Sequence, residues 1–354
     1  MSFFADILSS LFERKLGLVN GVEDDNKPID GLCQALLSSR GDVSGMSLAQ
    51  LILDRYADLD DDGKLAWFSL LANDMDVPAE AAIAAIKTYQ DAPSAKSYEA
   101  MTAAVEPARL QLIRRLNQTH DATAKLVAMR EDLIRFLPEH PNLGKLNVDF
   151  KHLFGSWFNR GFLVLRPINW SSPAHILEKI ITYESVHEIE NWDDLRRRLQ
   201  PEDRRCFAFF HPAMPDEPLI FVEVALTKGT PNSIQNVLLE NRDAMAAEKA
   251  DTAAFYSISN CQAGLAGISF GNSLIKTVVQ HLLRELPQIR NFVTLSPIPG
   301  LVKWLRESDN FDADATAETH MQLAAHYLLN AKHHRGQPHD PVARFHLNNG
   351  ALVG

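Results

Sequence analysis

The segment of residues 255–300 has residue types and spacing suited to binding a phosphate beside a reactive group. An apolar, strand-like run at residues 255–259 is followed by a loop with three glycines: Gly264, Gly267 and Gly271. Such a loop exposes backbone N–H groups that bind anions, and phosphates in particular. Ser296 ends the next apolar run and precedes a proline, which holds the serine on a stiff support. The segment therefore predicts an anion site next to a polar side chain.

A second interpretation makes Ser269 the reactive group. Gly267, Ser269 and Gly271 match the G-x-S-x-G nucleophile elbow of hydrolases. An elbow places its serine directly after the strand, whereas Ser269 comes ten positions after residue 259. Loop amides that face a phosphate explain the glycines equally well, so both interpretations stay open.

His346 lies in an apolar, alternating run at residues 342–347. The alternation predicts a strand or a strand edge, from which the ring could point into a cleft. A buried, hydrogen-bonded histidine is the alternative. Three other histidines lie nearby without the spacing of a tetrahedral metal site: His333, His334 and His339. For His333 and His334, a polar turn is favoured over a zinc site.

Two further motifs have plain structural alternatives. The run Asp58-x-Asp60-x-Asp62-Gly63 opens like a calcium loop, but Ser69 stands where the bidentate glutamate should be. An acidic helix N-terminus is the other interpretation.

Cys261 lies in the glycine loop and is either a nucleophile or a packing residue. The cysteines show no disulfide framework, which favours a reducing compartment: Cys33, Cys206 and Cys261.

The pattern of apolar residues changes near residue 153. Residues 1–153 repeat apolar positions at helical spacing, with glycine and proline between the runs. One predicted stripe consists of three residues: Ala82, Ile83 and Ile86. Residues 154–354 mix short strands with helices, and a proline-rich turn at residues 211–218 predicts a hairpin. The sequence thus predicts a two-domain α+β protein, with an all-α helical bundle followed by a mixed α/β domain.

The composition of the chain limits the classes of partner that we expect the protein to bind. The formal net charge of -10 over 354 residues argues against nucleic acid, whose phosphates favour clustered Lys and Arg. No apolar run approaches the roughly 18 residues that span a membrane. The amphipathic N-terminus contains acidic residues, unlike an organelle presequence, so we expect a cytoplasmic protein.

The segments described above resemble malonyl-CoA decarboxylases. The most specific stretches are Ser-Pro-Ile-Pro-Gly at residues 296–300 and Asp-Pro-Val-Ala-x-Phe-His-Leu at residues 340–347. Other matching stretches bring the resemblance to most of residues 150–350: residues 217–227, 255–259, 262–267, 274–276, 303–304 and 335–350. The helical first half fits the N-terminal helical domain of that family.

The resemblance implies a catalytic domain similar to GNAT-type acyltransferases, with coenzyme A between two splayed strands. It implies that Ser296 and His346 are the catalytic pair. It also implies that one loop holds the CoA pyrophosphate, through Ala266, Gly267, Ile268, Ser269, Phe270, Gly271 and Asn272. The resemblance implies that the protein needs neither a metal nor an organic cofactor. It also implies a homo-oligomer (dimer or tetramer), which the helical domain would support. The family sequence is also expected to continue beyond Gly354.

In the implied reaction, malonyl-CoA loses CO2 to give an enolate of acetyl-CoA, which is then protonated on its α-carbon. His346 would stabilise the enolate or supply the proton, and Ser296 would position the departing carboxylate and take part in proton transfer. The sequence leaves that division of roles open. Three alternatives remain: a GNAT-type acyl-CoA transferase, an acyl-CoA thioesterase that uses Ser269, and a non-catalytic CoA-binding protein.

Overall fold

A computed structural model describes residues 27–38, 42–268, 270, 274–308, 312, 314–333 and 336–352. The chain forms two compact units. The first takes the chain up to Ser156 and, in addition, the short segment Ala263–Gly267. The second contains Trp157–Gln262 and the chain from Ile268 onward. Within the described ranges, no helix is both long enough and apolar enough to cross a membrane.

The first unit is helical. Its helices are α1 (Ile29–Ser38), α2 (Asp42–Ala57), α3 (Asp61–Asn73), α4 (Ala79–Asp91), α5 (Ala95–Val105), α6 (Ala108–Leu116), α7 (Ala122–Phe136) and α8 (Gly144–Trp157). Large aromatic side chains fill its core, among them Trp67, Phe68, Phe150 and Phe154. Within the described residues, the prediction of a helical N-terminal domain is confirmed.

The acidic run before α3 is a helix N-terminus. The Asp60 carboxylate accepts a hydrogen bond from the Gly63 N–H at 2.9 Å and caps the helix. Asp61 receives two hydrogen bonds from Arg135, both at 2.7 Å. The structure therefore gives these carboxylates the capping and pairing roles of an ordinary helix start.

The second unit is a mixed α/β domain. Its strands are β1 (Val164–Ile168), β2 (Arg204–His211), β3 (Met214–Thr227), β4 (Thr252–Asn260) and β5 (Asn291–Thr294). Its helices are α9 (Ala174–Tyr183), α10 (Trp192–Leu199), α11 (Ile234–Leu238), α12 (Leu274–Glu285), α13 (Leu301–Glu307), α14 (Ala317–Asn330) and α15 (Pro341–Asn348). The predicted fold class, helices followed by a mixed α/β domain, is confirmed.

The strands form one sheet in the order β1-β2-β3-β4-β5. Neighbours are antiparallel except β4 and β5, which are parallel. The predicted hairpin is present, with His211 of β2 opposite Met214 of β3. One face of the sheet packs on α12 through residues such as Val278 and Leu282. The other face packs on α9 and α10, where Ile180 and Leu195 are fully buried.

Strands β4 and β5 pair over a short distance and then diverge. Their register runs from Thr252 opposite Asn291 to Phe255 opposite Thr294, and the Leu295 N–H still donates to the Phe255 carbonyl at 2.8 Å. Strand β4 continues to Asn260, still paired with β3. A bulge in the β3–β4 ladder inserts Tyr256 at the point of divergence. The parallel edge of the sheet therefore opens beside the end of β5.

Candidate active site

Ser296 lies where the sheet opens. Strand β5 ends at Thr294, and Ser296 follows two residues later as a half-buried side chain. The adjacent Pro297 fixes its own φ and restricts the conformation of the serine before it. The serine is thereby held next to the diverging part of β4.

His346 lies on helix α15, and our expectation of a strand or strand edge at this position is wrong. Asp340 caps the helix by accepting hydrogen bonds from the N–H groups of Val342 and Ala343, both at 2.9 Å. Pro341 occupies the first helical turn, where its missing N–H costs nothing. Apolar and polar residues alternate over the short run of residues 342–347, but the Asp-Pro pair before it starts a helix and so determines its conformation.

The structure brings Ser296 and His346 together across fifty residues of sequence. Ser296 Oγ lies 2.7 Å from His346 Nε2, a hydrogen bond between the two side chains. His346 is 9 % exposed, and its Nδ1 is buried without a partner among the described residues. Burial lowers the pKa of His346, and the negative charge of Asp340 opposes that shift. The imidazole is therefore neutral at neutral pH.

The pair opens onto a cleft of about 290 Å³ in the second unit. The cleft is lined by the diverging part of β4, the first turn of α12, the segment after β5 and one face of α15. Its lining residues are Val186, Ile220, Val222, Phe255, Tyr256, Ile258, Asn260, Leu274, Ile275, Ser296, Pro297, Pro341, Val342, Phe345 and His346. Apolar side chains predominate, and the polar side chains of the lining are those of Tyr256, Asn260, Ser296 and His346.

The predicted anion loop is described in part. Ala266 and Gly267 are exposed, and Gly267 has a φ of +72°, which favours glycine. Ile268 is buried, and Phe270 packs against the core under α12. Three predicted loop residues lie outside the described residues: Ser269, Gly271 and Asn272. A role for this loop in binding CoA stays a prediction.

Cys261 has the surroundings of a packing residue. Its side chain is 6 % exposed, in the core on the α9 face of the sheet. Burial raises the pKa of the thiol far above its usual value, so the thiolate is disfavoured. The packing alternative therefore has the better support.

Sequence reasoning missed a polar network beneath β4. The buried Glu184 carboxylate accepts hydrogen bonds from the Ser257 hydroxyl, at 2.8 Å to each oxygen, and from the backbone N–H groups of Val186 and His187. Tyr256, which lines the cleft, has a buried hydroxyl without a partner among the described residues. Serines alternating along an otherwise apolar strand were the available sequence signal.

The sequence of this chain matches two domain families. The malonyl-CoA decarboxylase N-terminal domain family matches residues 76–158, and the malonyl-CoA decarboxylase C-terminal domain family matches residues 161–320 and 307–354. Among curated proteins, the chain is 38 % identical over 291 residues to the mitochondrial malonyl-CoA decarboxylase of Anser anser anser, covering 68 % of this chain and 57 % of that protein. It is 35 % identical over 301 residues to the protein of the same name from Mus musculus, covering 71 % of this chain and 61 % of that protein. The chain thus spans about three fifths of the length of these relatives.

Two solved structures are similar over most of their length. A malonyl-CoA decarboxylase from Rhodopseudomonas palustris has a TM-score of 0.85 and 50 % identity, covering 92 % of this chain and 86 % of that one. One from Agrobacterium vitis has a TM-score of 0.84 and 48 % identity, covering 90 % and 84 %.

Proposed function

This chain belongs to the malonyl-CoA decarboxylase family, and on that premise we propose that it converts malonyl-CoA to acetyl-CoA and CO2. The observation that carries the proposal is the hydrogen bond of 2.7 Å between Ser296 and His346 at an apolar cleft. A half-buried hydroxyl backed by a buried, neutral imidazole is a donor prepared for a developing negative charge.

The reaction needs an electron sink and a proton. When the carboxylate leaves as CO2, the electron pair of the broken C–C bond moves into the thioester and forms an enolate. One proton then joins the α-carbon, and solvent replaces it. Because the thioester itself is the sink, the proposal requires no metal and no organic cofactor.

We assign the contact with the enolate to Ser296. In this assignment the Nε2–H of His346 is the donor of the 2.7 Å hydrogen bond to Ser296 Oγ, and the serine O–H is then free to donate to the substrate. Such a donor is worth about 3–4 kcal/mol when the charge develops only in the transition state. His346 supports the serine through this hydrogen bond and transfers to the α-carbon a proton that solvent then replaces.

The cleft suits loss of a carboxylate. Its described lining contains neither Lys nor Arg, so no cation holds the malonyl carboxylate in its charged ground state. A carboxylate placed among apolar groups loses solvation that CO2 does not need. This environment favours release of CO2 over retention of the acid.

A single assay tests the function. The purified chain is incubated with malonyl-CoA while CO2, acetyl-CoA and free thiol are followed together. We expect CO2 and acetyl-CoA in equal amounts, with no added acceptor and no free thiol. Free CoA without CO2 would indicate a thioesterase, product only after addition of an amine would indicate an acyltransferase, and binding without turnover would indicate a CoA-binding protein.

The pKa of His346 predicts the pH dependence of kcat. An imidazolium next to the malonyl carboxylate would stabilise the ground state, so protonation should slow the loss of CO2. Since burial lowers the pKa, this protonation occurs only below the ordinary histidine range. We expect kcat to stay level through neutral pH and to fall in acid, as measured by a pH–rate profile.

His211 provides the control for that profile. Burial lowers its pKa also, but its ring nitrogens bind the Trp157 carbonyl and the Ala213 N–H, away from the cleft residues. His211→Gln should therefore leave the inflection in place. A kcat that rises in acid would instead identify the imidazolium as the working form.

Two expectations from the sequence stay predictions. A homo-oligomer, dimer or tetramer, is expected from the family resemblance. A cytoplasmic location is expected from the N-terminal composition, whereas the curated relatives from goose and mouse are named as mitochondrial proteins.

A further inference from the structure

One carboxylate connects the segment that carries Ser296 with the helix that carries His346. Asp340 is 1 % exposed, and its Oδ1 accepts hydrogen bonds from two N–H groups in the first turn of α15, both at 2.9 Å. Its Oδ2 accepts a hydrogen bond from the Gly300 N–H at 3.4 Å. The two oxygens of one buried side chain thus bind two segments that lie forty positions apart in the sequence.

Gly300 ends the segment that begins with Ser296. Two prolines stand between them in the run Ser-Pro-Ile-Pro-Gly, and each fixes its own φ, so the run has little conformational freedom. Gly300 is also the N-cap of α13. Because the run is short and stiff, the position of Gly300 limits the positions open to the Ser296 side chain.

His346 lies in the second turn of the helix that this carboxylate starts. Helix α15 comprises Pro341–Asn348, and one helical turn takes about 3.6 residues. Over so short a distance the helix is rigid, so its first turn determines where the imidazole lies. The Asp340 side chain therefore constrains both partners of the 2.7 Å contact between Ser296 Oγ and His346 Nε2.

Close packing around Gly300 leaves this junction little room to shift. A Cβ on Gly300 would lie 2.2 Å from the Tyr327 hydroxyl oxygen and 3.4 Å from Asp340 Oδ2. Tyr327 is fully buried on α14, and its hydroxyl is hydrogen-bonded to His339 Nδ1 at 3.2 Å. Arg344 Nη1 donates to the His339 carbonyl at 2.8 Å and holds the turn before α15. Three helices thus meet at one buried point.

We propose that Asp340 is a positioning residue for decarboxylation, which sets the distance between Ser296 and His346 by binding both of their segments. The inference rests on the proposed function, in which those two side chains act on the substrate. Asp340 is not among the described residues that line the cleft, so it acts through the pair and does not touch the ligand.

Asp340→Asn separates this bridge from the helix cap. Asparagine is as good an N-cap as aspartate, but its single oxygen cannot accept from both α15 and Gly300. We expect kcat for malonyl-CoA to fall roughly 10–10²-fold, the effect of a small misplacement of reacting groups, with KM unchanged. Asp60→Asn is the matched control, because it makes the same substitution at the N-cap of α3 and should leave kcat at the wild-type value.

The pH dependence of kcat distinguishes this role from general destabilisation. Burial lowers the pKa of His346, and Asp340 is the one charged group among the described residues that opposes the shift. Asp340→Asn removes that charge, so the inflection in the pH–rate profile should move to lower pH. A variant that is merely less stable keeps the inflection of wild type.

The bridge can also be loosened from its other end. Gly300→Ala should lower kcat by a similar factor, because the added Cβ meets the Tyr327 oxygen and displaces the Gly300 N–H from Asp340. Adding Tyr327→Phe removes that oxygen and should restore most of the activity. Since Asp340 is intact in both variants, they test the bridge even where Asp340→Asn does not fold, and no recovery in the double variant would contradict it.

A folded Asp340→Asn variant with the kcat of wild type, or with a lower kcat and an unmoved inflection, would overturn the inference while leaving decarboxylation intact. If wild type itself does not decarboxylate malonyl-CoA, the proposed function fails. NMR of the 15N-labelled His346 ring then still tests the bridge, since the Nε2 resonance reports the hydrogen bond to Ser296. That resonance should shift in Asp340→Asn and not in Asp60→Asn, and an unchanged resonance in Asp340→Asn would overturn the inference.

Discussion

Replacing His346 with Asn is expected to lower kcat for malonyl-CoA by roughly 10²–10⁴-fold, the range of a lost acid–base group. The shorter amide cannot reach Ser296 as the imidazole does at 2.7 Å, so the serine loses the donor behind it. Affinity for acetyl-CoA should stay near wild type, because the proposed role of His346 concerns the reacting thioester and not the nucleotide. Steady-state kinetics and calorimetry measure the two quantities.

The Ser296→Ala variant completes the experiment. If the two side chains act as one unit, the double variant should be little slower than either single variant. Decarboxylation by His346→Asn at close to the wild-type rate would contradict the assignment. Full additivity of the two losses would contradict the coupling.

Replacing Gly264 with Ala is expected to destabilise the protein by about 3 kcal/mol, at the upper end of overpacking effects. A Cβ on Gly264 would overlap the carbonyl oxygen of Val127, which is backbone and cannot rotate away. The loop must then shift and weaken the hydrogen bond from Arg130. A lower midpoint of thermal unfolding and a higher KM for malonyl-CoA should appear together.

Gly155→Ala is the matched control for that substitution. Gly155 lies in helix α8, and a Cβ there meets nothing within 4 Å. Because alanine favours the helix over glycine, this variant should be as stable as wild type or more stable by about 0.5–1 kcal/mol. A Gly264→Ala variant with unchanged unfolding temperature would show that the loop yields without cost.

The sequence predicted the two kinds of architecture and singled out two residues that line the cleft, Ser296 and His346, but it did not predict every element that carries them. Apolar periodicity predicted helices before residue 153, yet it did not tell which face is buried. In the stripe on α4, Ala82 is buried whereas Ile83 is 67 % exposed and Ile86 is 45 % exposed. Periodicity reports a helix, and burial depends on what packs against it.

The candidate site shows the same limit. Ser296 was predictable because a strand end and a proline determine its position locally. His346 was assigned to a strand because six residues are too few to separate an alternating period from a helical one. The contact of Arg130 with the carbonyls of Gly264 and Ala266 was not predicted, because Arg130 lies more than one hundred residues before them in the sequence. Only the tertiary fold brings such positions together.

The early end of the pairing between β4 and β5 has a consequence for the shape of the ligand. Beyond Phe255, the structure describes no strand paired to β4 on the β5 side, although β4 runs on to Asn260. Alternate backbone groups of a strand point to each side, so this edge presents donors and acceptors at sheet spacing. The pantetheine arm of CoA is extended and carries two amides. We expect it to complete the sheet from outside the chain, so that the substrate is recognised partly through backbone that point mutations leave unchanged.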